Sequence, residues 1–592
     1  MQRNGFQDKK QSGQKRRRRG GIARPTGFVG ALTKERGDPK TQCQKDQRNL
    51  DWTATGIIFA HRCRDGIVQA VPQAQRTFCC EAGVCHGKQR PRPTGRDQAD
   101  QGGQAERDDT SPLRCIHVHL ISSSFRSKAG YNLRVMLALY SCWILAALCL
   151  FRFVRRDVAI WIVIFGGWLV LPPGNYVDPG DPRVLPYWIV GGALPSDILF
   201  AKAWTAPAIA TLCALIFDRG RWRELRFVPI DIPILLFCAW PSGQALFTGP
   251  ADPAGLASAA YLAGVWGLPW LIAKLYLRDL NDAVRFAGAL AYLSLALVPV
   301  AVIEGVTSWR LHSALLGVHP FTFDGMTRYA GFRPQGLFEH GNQYGIWCAG
   351  ATLAACWRLR EEWGGKGRLR WSVVATVLCL MTLMSQSVGA IILLAACGAI
   401  LIVPGIPNLA KIILPLGIAA SLGLGALHIS GAMPLRSLAD RTVAGQAAQD
   451  AFRALGRQSL PWRIGQDLKT IPIIQENWIV GHARWDWFEP AHSRPWGLPL
   501  LLLGQFGLVG FACLTASLIA AVFRHMTRAA LGSAPERLFA TLLLLFAGDA
   551  LLNSFLFYPA ILAAGAAAAT RHGQQSLTTA RASQTPRPAR SA

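Results

Sequence analysis

Long apolar runs separated by short basic stretches dominate the chain from about residue 136 onward. The runs are roughly 16 to 22 residues long, enough for a helix to cross or nearly cross the hydrocarbon core of a bilayer. The composition agrees, because 51% of the 592 residues are hydrophobic and 20 are tryptophan. The pattern predicts an all-α, polytopic membrane protein with about 12–13 transmembrane helices over residues 136–570.

The positions of lysine and arginine predict how these helices are threaded, since cytoplasmic loops are enriched in both residues. Basic clusters lie near residues 152–156, 219–226, 274–285, 358–370 and 524–537. If these face the cytoplasm, the alternate loops face outward, namely 173–197, 248–255, 305–335, 385–387, 428–495 and 553–554. Residues 428–495 are then predicted to form one long periplasmic loop.

The ends of the chain have a different composition. Residues 1–130 are rich in Gln, Arg and Gly, include the run Lys15-Arg-Arg-Arg-Arg19 and show no helix or strand period. They could be an arm for nucleic acid or anionic lipid, a disordered tail, or a misassigned extension upstream of a true start at Met136. The remaining positive charge sits between apolar runs, so no nucleic-acid partner is expected. Residues 571–592 are predicted to be a disordered tail.

The cysteines indicate neither a disulfide framework nor a metal site. Nine of the 15 lie at or after Cys142, in or beside apolar runs where cysteine acts as a small hydrophobe. The spacing of the cysteines and histidines between positions 61 and 86 does not match the repeated C-x-x-C pairs of a zinc site. The chain also has neither a G-x-x-x-x-G-K-[ST] phosphate loop nor a D-x-D pair. We therefore expect no cofactor and no metal.

One polar, glycine-rich segment, 328–345, leads directly into an apolar run. It carries Arg328 and Arg333, and guanidinium groups fork onto phosphate oxygens, which suits a diphosphate at the membrane surface. Ordinary interfacial positioning is the alternative. His340 and Asn342 are two positions apart and cannot share a helical face. Asn342 is expected to begin a helix or to serve in packing, with His340 as a supporting residue, and both are candidates for the substrate-binding region.

A second polar segment precedes the apolar run that begins near residue 496. His492 is the residue type best suited to accept a proton from a sugar hydroxyl near neutral pH, although a surface histidine without a role is equally compatible. Arg436, Arg441 and Arg494 belong to an arginine-rich loop that could bind phosphates or acidic glycans. Since both polar segments are predicted to face outward, they could form one pocket.

Four motifs, in this order and spacing, resemble the O-antigen ligase and polymerase superfamily. They are Arg-Pro-Gln-Gly-Leu-Phe-Glu-His-Gly-Asn at 333–342, Ser-Gln-Ser-Val-Gly-Ala at 385–390, Asn-Trp-Ile-Val-Gly at 477–481, and Ala-His at 491–492 followed by 501–510. The resemblance covers about residues 325–515, and the multi-span layout extends it over most of 136–570. The chain departs from the family where Ser-Gln-Ser replaces Ser-Arg-Gly, where Gly-His-Ala replaces Gly-x-Gly, and where serine follows the histidine in place of asparagine.

The resemblance implies a metal-independent glycosyltransferase of the bacterial inner membrane. Its donor would be an undecaprenyl-diphosphate-linked glycan, and its acceptor a hydroxyl of lipid A-core, as in lipopolysaccharide assembly, or of a growing polysaccharide. It implies that Arg333, together with Arg328, contacts the diphosphate beside a loop arginine, and that His492 is the base. Ligase and polymerase stay open, as do a transporter of an anionic solute and a catalytically inactive scaffold.

Overall fold

Helices make up almost all of the chain that the structure describes. This computed structural model describes residues 134–173, 201–248, 254–316, 327–328, 331–403, 405–454, 459–484 and 486–569, all of which belong to the unit Asp108–Ala592. In this part, two short antiparallel strands form the only sheet, β1 (Thr327–Arg328) and β2 (Gly331–Phe332). The predicted all-α class is confirmed. The predictions for 1–130 and 571–592 lie outside the described residues.

The helices before the glycine-rich segment follow the predicted apolar runs. They are α1 (Arg134–Phe153), α2 (156–170), α3 (Lys202–Phe217), α4 (Arg219–Trp222), α5 (Ile232–Thr248), α6 (254–276), α7 (Leu280–Ser294), α8 (Leu297–Thr307) and α9 (Leu311–Leu316). Helices α2 and α6 each contain one π turn, Ile162–Gly166 and Ala263–Gly267. Such turns interrupt the regular ladder of backbone hydrogen bonds without ending the helix.

The helices after the glycine-rich segment include three that belong to the predicted long loop. In order they are α10 (Gly341–Glu361), α11 (Arg368–Met384), α12 (Val388–Ile402), α13 (Ile406–Ile429), α14 (Leu435–Arg441), α15 (Val443–Ala454), α16 (Ser459–Glu476), α17 (Leu498–Ala530), α18 (Ala534–Ala550) and α19 (Tyr558–Ala567). Residues 428–495 are therefore largely helical, with α14, α15 and α16 between the apolar helices α13 and α17.

Several helices are long and apolar enough to cross a membrane. In the described part of the chain there are six, namely Arg134–Phe153, Pro229–Phe247, Gly255–Tyr276, Leu280–Thr307, Ile412–Ile429 and Leu498–Ala530. Three shorter apolar helices, α3, α12 and α19, accompany them. The chain is thus a multi-pass helical membrane protein, and the expected number of 12–13 crossings stays a prediction.

Helix α10 packs against four other helices and carries the last five residues of the glycine-rich segment, 341–345. It packs against α7, α11, α12 and α18, and 16 of its 21 residues are buried. Trp347 of α10 packs among aromatic rings from other helices, including Phe165 and Trp168 at centroid distances of 5.9 and 6.2 Å. This dense aromatic packing fixes the position of the first two turns of α10, which directly follow the rest of the glycine-rich segment.

Helix α17 is broken at Gly507, whose φ of 64° and ψ of −171° are not helical. The segment 478–483 runs alongside the break and satisfies its backbone groups. The N–H of Leu508 donates to the carbonyl of Trp478 at 2.8 Å, and the N–H of His482 donates to the carbonyl of Gly504 at 2.9 Å. Unpaired backbone groups are costly in a membrane, so the end of the long loop is an integral part of this helix.

The connecting segments sort into two groups by their contacts. Among the loops predicted to be cytoplasmic, Arg156 lies 3.8 Å from Asp218, which joins the starts of α2 and α4. Among the loops predicted to face outward, Arg328 donates to the carbonyl of Gln386 at 3.0 Å and Arg494 donates to Ser554 at 2.7 Å. The described contacts therefore join loops within each predicted set. Which set faces the cytoplasm stays a prediction.

Candidate functional site

Arg333 ties together three segments that are distant in sequence. It follows β2 directly and is 1% exposed. Its Nε donates to the carbonyl oxygen of Ser385, after α11, at 2.6 Å, and its Nη2 donates to Oδ1 of Asn342, in the first turn of α10, at 2.7 Å. Hydrogen bonds from a charged donor are roughly twice as strong as neutral ones, so this buried guanidinium fixes both partners.

Two glycines of α10 make room for these contacts. A Cβ on Gly341 would lie 2.2 Å from Nε of Arg333, well inside van der Waals contact. A Cβ on Gly345, one turn further along, would lie 2.7 Å from Oγ of Ser385. The absence of a side chain at Gly341 and Gly345 therefore accommodates Arg333 and the turn at 385–387.

His340 begins helix α10. It is the N-cap residue, and its Nδ1 accepts a hydrogen bond from the N–H of Asn342 at 3.0 Å. This bond satisfies one of the backbone donors that a helix start leaves unpaired. The ring also stacks on Phe555, with centroids 5.3 Å apart. His340 thus stabilises the start of the helix, where Asn342 lies, and a role of either residue in substrate binding stays a prediction.

Two buried charged side chains hold the turn between β2 and α10. Glu304, at 1% exposure, accepts hydrogen bonds from the N–H groups of Gln335 and Gly336 at 2.7 and 2.8 Å. Lys202, which is fully buried, donates from Nζ to the carbonyl of Leu337 at 2.8 Å. Buried charges need such partners to offset their loss of water. The turn is thus anchored from α8 and from α3.

The amide of Asn553 connects the glycine-rich segment to the long loop. Its Oδ1 accepts hydrogen bonds from Nδ2 of Asn342 at 3.1 Å and from Nη1 of Arg463, in α16, at 2.9 Å. Its Nδ2 donates to Oδ1 of Asp549, in α18, at 2.7 Å. Since Asn342 also accepts from Arg333, one continuous chain of hydrogen bonds links Arg333 to Arg463 across more than 100 residues of sequence.

Arg494 enters the same region from the segment before α17. Its Nη2 donates to Oγ of Ser554 at 2.7 Å, beside Asn553. Burial lowers the pKa of Arg494 to about 10, and the nearby carboxylate of Glu339 opposes that shift. The guanidinium groups of Arg463 and Arg494 also lie 5.1 and 5.7 Å from the ring centre of Trp496. Both loop arginines are therefore held in place by a hydrogen bond and by the same aromatic ring.

Four arginines from separate parts of the chain consequently meet at one place. We call this set the arginine cluster; it consists of Arg328, Arg333, Arg463 and Arg494. The amides of Asn342 and Asn553 link Arg333 to Arg463. Arg328 donates to Gln386, the neighbour of Ser385, and Arg494 donates to Ser554, the neighbour of Asn553. Arg333 is fully buried, whereas the other three arginines are partly exposed. Partly exposed guanidinium groups linked to a buried one are suited to binding an anion.

Asp467 is a carboxyl at the edge of the cluster that the sequence analysis did not single out. It lies on α16, and its Oδ1 accepts a hydrogen bond from the N–H of Trp496 at 3.1 Å. Burial raises the pKa of Asp467 to about 6, while that hydrogen bond and the charge of Arg463 lower it. A carboxyl whose pKa approaches neutrality can exchange protons at physiological pH, as acid–base catalysis requires.

His492 lies on an exposed turn two residues before Arg494. It follows the 3-10 turn Glu489–Ala491, has a left-handed φ of 45°, and donates its backbone N–H to the carbonyl of Glu489 at 2.8 Å. Within the described residues the imidazole makes no hydrogen bond and its side chain is exposed. His492 is therefore a sequence neighbour of the cluster residue Arg494, and its side chain is exposed to solvent.

Two other candidates lie outside the cluster. Arg436 on α14 has a side chain that is 58% exposed and lies 3.8 Å from its own helix neighbour Asp440. Arg441, at the end of the same helix, is exposed. Neither contacts Arg333 or Asn553 among the described residues.

Some site residues carried a signal that the sequence analysis did not use. Lys202 and Glu304 are single charges at the edges of apolar runs, and ionisable residues in such places mark functional or structural sites by default. Arg463 was one of several arginines noted in the long loop, with nothing to distinguish it. Its role emerges only when α16 is placed against residues 552–553, where its Nη1 also donates to the carbonyl of Leu552 at 2.7 Å.

Comparison of the chain with protein-family models, with curated proteins and with solved structures gave no match. The resemblance to the O-antigen ligase and polymerase superfamily thus rests on the sequence motifs alone.

Proposed function

We propose that this protein transfers a glycan from undecaprenyl diphosphate to an acceptor sugar hydroxyl at the periplasmic face of a bacterial inner membrane. The single observation that carries this proposal is the arginine cluster. It gathers four guanidinium groups from segments that charge alternation assigns to one side of the membrane. A lipid-linked diphosphate is an anion that reaches an enzyme from that surface.

The proposed reaction needs positive charge where the leaving group forms. The acceptor oxygen bonds to the anomeric carbon of the glycan, the bond from that carbon to the diphosphate oxygen breaks, and the lipid diphosphate leaves with the electron pair. Arg328, Arg463 and Arg494 are partly exposed and would contact the diphosphate oxygens. Arg333 would add fixed positive charge from beneath and keep Asn342 and Ser385 in place.

The acceptor proton needs a base. In this proposal His492 accepts it, since its exposed imidazole lies two residues from Arg494 and can reach a bound sugar without first breaking a hydrogen bond described in the structure. Asp467 is the second candidate, because its raised pKa lets it hold or release a proton near pH 6. The variants His492→Ala and Asp467→Asn distinguish the two, since only loss of the true base should lower turnover by roughly 10²–10⁴-fold.

The acceptor would be lipid A-core if the protein is a ligase, or a growing polysaccharide if it is a polymerase. Both reactions use the same donor chemistry and differ in the acceptor. Deleting the gene and separating the surface polysaccharides on a gel distinguishes them. Loss of all long chains from the lipid core identifies a ligase, and a single repeat unit on the core identifies a polymerase.

The direct test is transfer by the purified full-length protein from an undecaprenyl-diphosphate-linked glycan. Arg463→Ala should lower turnover by at least about 100-fold, since fixed charges at a leaving group are worth roughly 3–4 kcal/mol. Arg436→Ala, a loop arginine outside the cluster, is the matched control and should leave turnover unchanged. Equal turnover by both variants would remove the cluster from the mechanism.

Arg333 is tested separately, because its role combines charge and position. Arg333→Ala should abolish transfer while the protein remains in the membrane. Arg333→Lys should recover it only partly, since an ammonium keeps the charge but loses the fork that reaches both Ser385 and Asn342. Full glycan display in cells carrying Arg333→Ala would make this residue an interfacial anchor only.

A transporter of an anionic solute is the second candidate, and the break of α17 at Gly507 favours it, since broken helices line many transport pathways. Against it, the backbone groups at the break pair with residues 478–483. Reconstitution in liposomes separates the two: movement of a lipid-linked glycan across the bilayer without glycan transfer would favour the transporter.

A further inference from the structure

A second charged region of the molecule is separate from the arginine cluster. A shallow cleft that is largely open to solvent, with a volume of about 760 Å³, lies between the end of α1, the start of α2 and the turn from α3 to α4. Four arginines line it together with two aspartates, namely Arg152, Arg155, Arg156, Arg221, Asp157 and Asp218. These segments belong to loops that the charge pattern assigns to the cytoplasmic side, away from the proposed transferase site.

The carboxylates of this cleft do not balance its guanidinium groups. Each carboxylate lies near two arginines: Arg155 and Arg285 at 2.8 and 3.1 Å from Asp157, and Arg221 and Arg156 at 3.4 and 3.8 Å from Asp218. Asp282 is a third carboxylate here, 4.0 Å from Arg221 and 3.1 Å from Arg285. With Arg152, five arginines face three aspartates, so the region keeps an excess of positive charge. Arg155 and Arg156 also have side chains that are 72% and 56% exposed, so that charge is reachable from solvent.

Arg152 and the aromatic residues give the cleft an amphipathic character. The guanidinium of Arg152 lies 5.5 Å from the ring centre of Phe153, which is 80% exposed. Phe151 and Phe217 also line the cleft, with ring centroids 6.2 Å apart. Helix α1 is a candidate membrane span by its length and composition, so we expect its end at Phe153 to lie at the depth of lipid headgroups. Aromatic rings and arginines thus meet where a phospholipid has its phosphate above its acyl chains.

We propose that this cleft binds a phosphate-bearing anion, and that its source is the headgroup of an acidic phospholipid. Arginine binds phosphate oxygens through paired N–H donors, and basic pockets between membrane helices are suited to acidic headgroups. The aromatic residues would contact the glycerol and the first carbons of the chains. The ligand would bind to the bundle formed by α1, α2 and α3, on the side away from the arginine cluster.

The test uses the full-length protein purified in a neutral detergent. Native mass spectrometry with added phosphatidylglycerol should show retained lipid adducts at concentrations where phosphatidylcholine shows none. Arg152→Glu reverses the charge of an arginine whose described contact is an aromatic ring, and it should weaken the adduct about ten-fold or more, since each basic residue near a membrane surface contributes about 1 kcal/mol.

Arg368→Glu is the matched control, because Arg368 is also exposed and its guanidinium lies 4.2 Å from the ring centre of Trp363. It should leave the adduct unchanged. Equal retention of the two lipids, or equal loss in the two variants, would overturn the proposal. Displacement of the lipid by glycerol phosphate at equal concentration would overturn the assignment to a lipid source.

Discussion

Replacing Gly341 by alanine tests the buried position of Arg333 without removing any charge. The added methyl group would lie 2.2 Å from Nε and 2.6 Å from Cζ of Arg333. Ordinary contacts of a Cβ begin near 3.4 Å, so the guanidinium has to retreat by about 1.2 Å from its present place. A helix tolerates alanine well at this position, so the effect is confined to this contact.

The expected magnitude follows from the two hydrogen bonds that Arg333 makes. They measure 2.6 Å to Ser385 and 2.7 Å to Asn342, and a retreat of this size takes both beyond hydrogen-bonding distance. Hydrogen bonds to charged groups contribute about 1.5–3 kcal/mol each. The variant should therefore lose roughly 3–6 kcal/mol of stability if α10 does not shift, and less to the extent that it does.

The assay is thermal unfolding in detergent, followed by tryptophan fluorescence, together with glycan display in cells. Gly398→Ala is the matched control: it lies in α12, and its Cβ would meet nothing within 4 Å. That variant should be as stable as the unmodified protein or about 1 kcal/mol more stable, because alanine is the better helix former. If Gly341→Ala unfolds at the same temperature as Gly398→Ala and supports full glycan display, Arg333 is not fixed as described.

Three further predictions concern pH and topology. Burial raises the pKa of Asp467 to about 6, so protonation of this carboxyl favours the folded state, and the free energy of unfolding should fall as pH rises from 4 through 6. The fall should be about 3 kcal/mol for a shift of about two units. Unfolding measured at several pH values should show that Asp467→Asn removes it. If His492 is the base, turnover should fall in acid, and His492→Ala and His492→Gln should both lower it by roughly 10²–10⁴-fold with donor binding retained; normal turnover would exclude His492. Alkaline phosphatase fused near Gln446 should be active and near Gly365 inactive, and the reverse activities would refute the predicted orientation.

The positions of the long helices were predictable because a helix that crosses a membrane must be apolar over most of its length. A run such as 498–523 is apolar on all sides, and this alone indicates a helix that spans or nearly spans a bilayer. Charge alternation also placed 305–335, 385–387 and 553–554 on one side, and contacts such as that of Arg328 with Gln386 join these loops. The pattern of apolar runs thus predicted the fold class, while the orientation of the loops stays a prediction.

The partners inside the cluster could not be predicted in this way. The contact of Arg463 with Asn553 depends on how α16 returns to the bundle, and one loop arginine resembles the next in sequence. Asp467 likewise becomes unusual only through burial, which residue type does not reveal. The break at Gly507 was also not anticipated, because glycine is common in membrane helices and its left-handed φ appears only in three dimensions.

The pairing of 478–483 with the break of α17 has a consequence for how the protein is made. Residues 478–483 leave the ribosome before 504–509, so the backbone partners of the break already exist when the helix emerges. Each backbone group left unpaired at the break would cost several kcal/mol in the bilayer. We therefore expect α17 to reach its final position in the membrane only after residues 478–483 have paired with it. Insertion of this helix and closure of the long loop are then a single step in biogenesis. A lengthened chain between 484 and 497 should delay that step, while the same insertion between α14 and α15 should not.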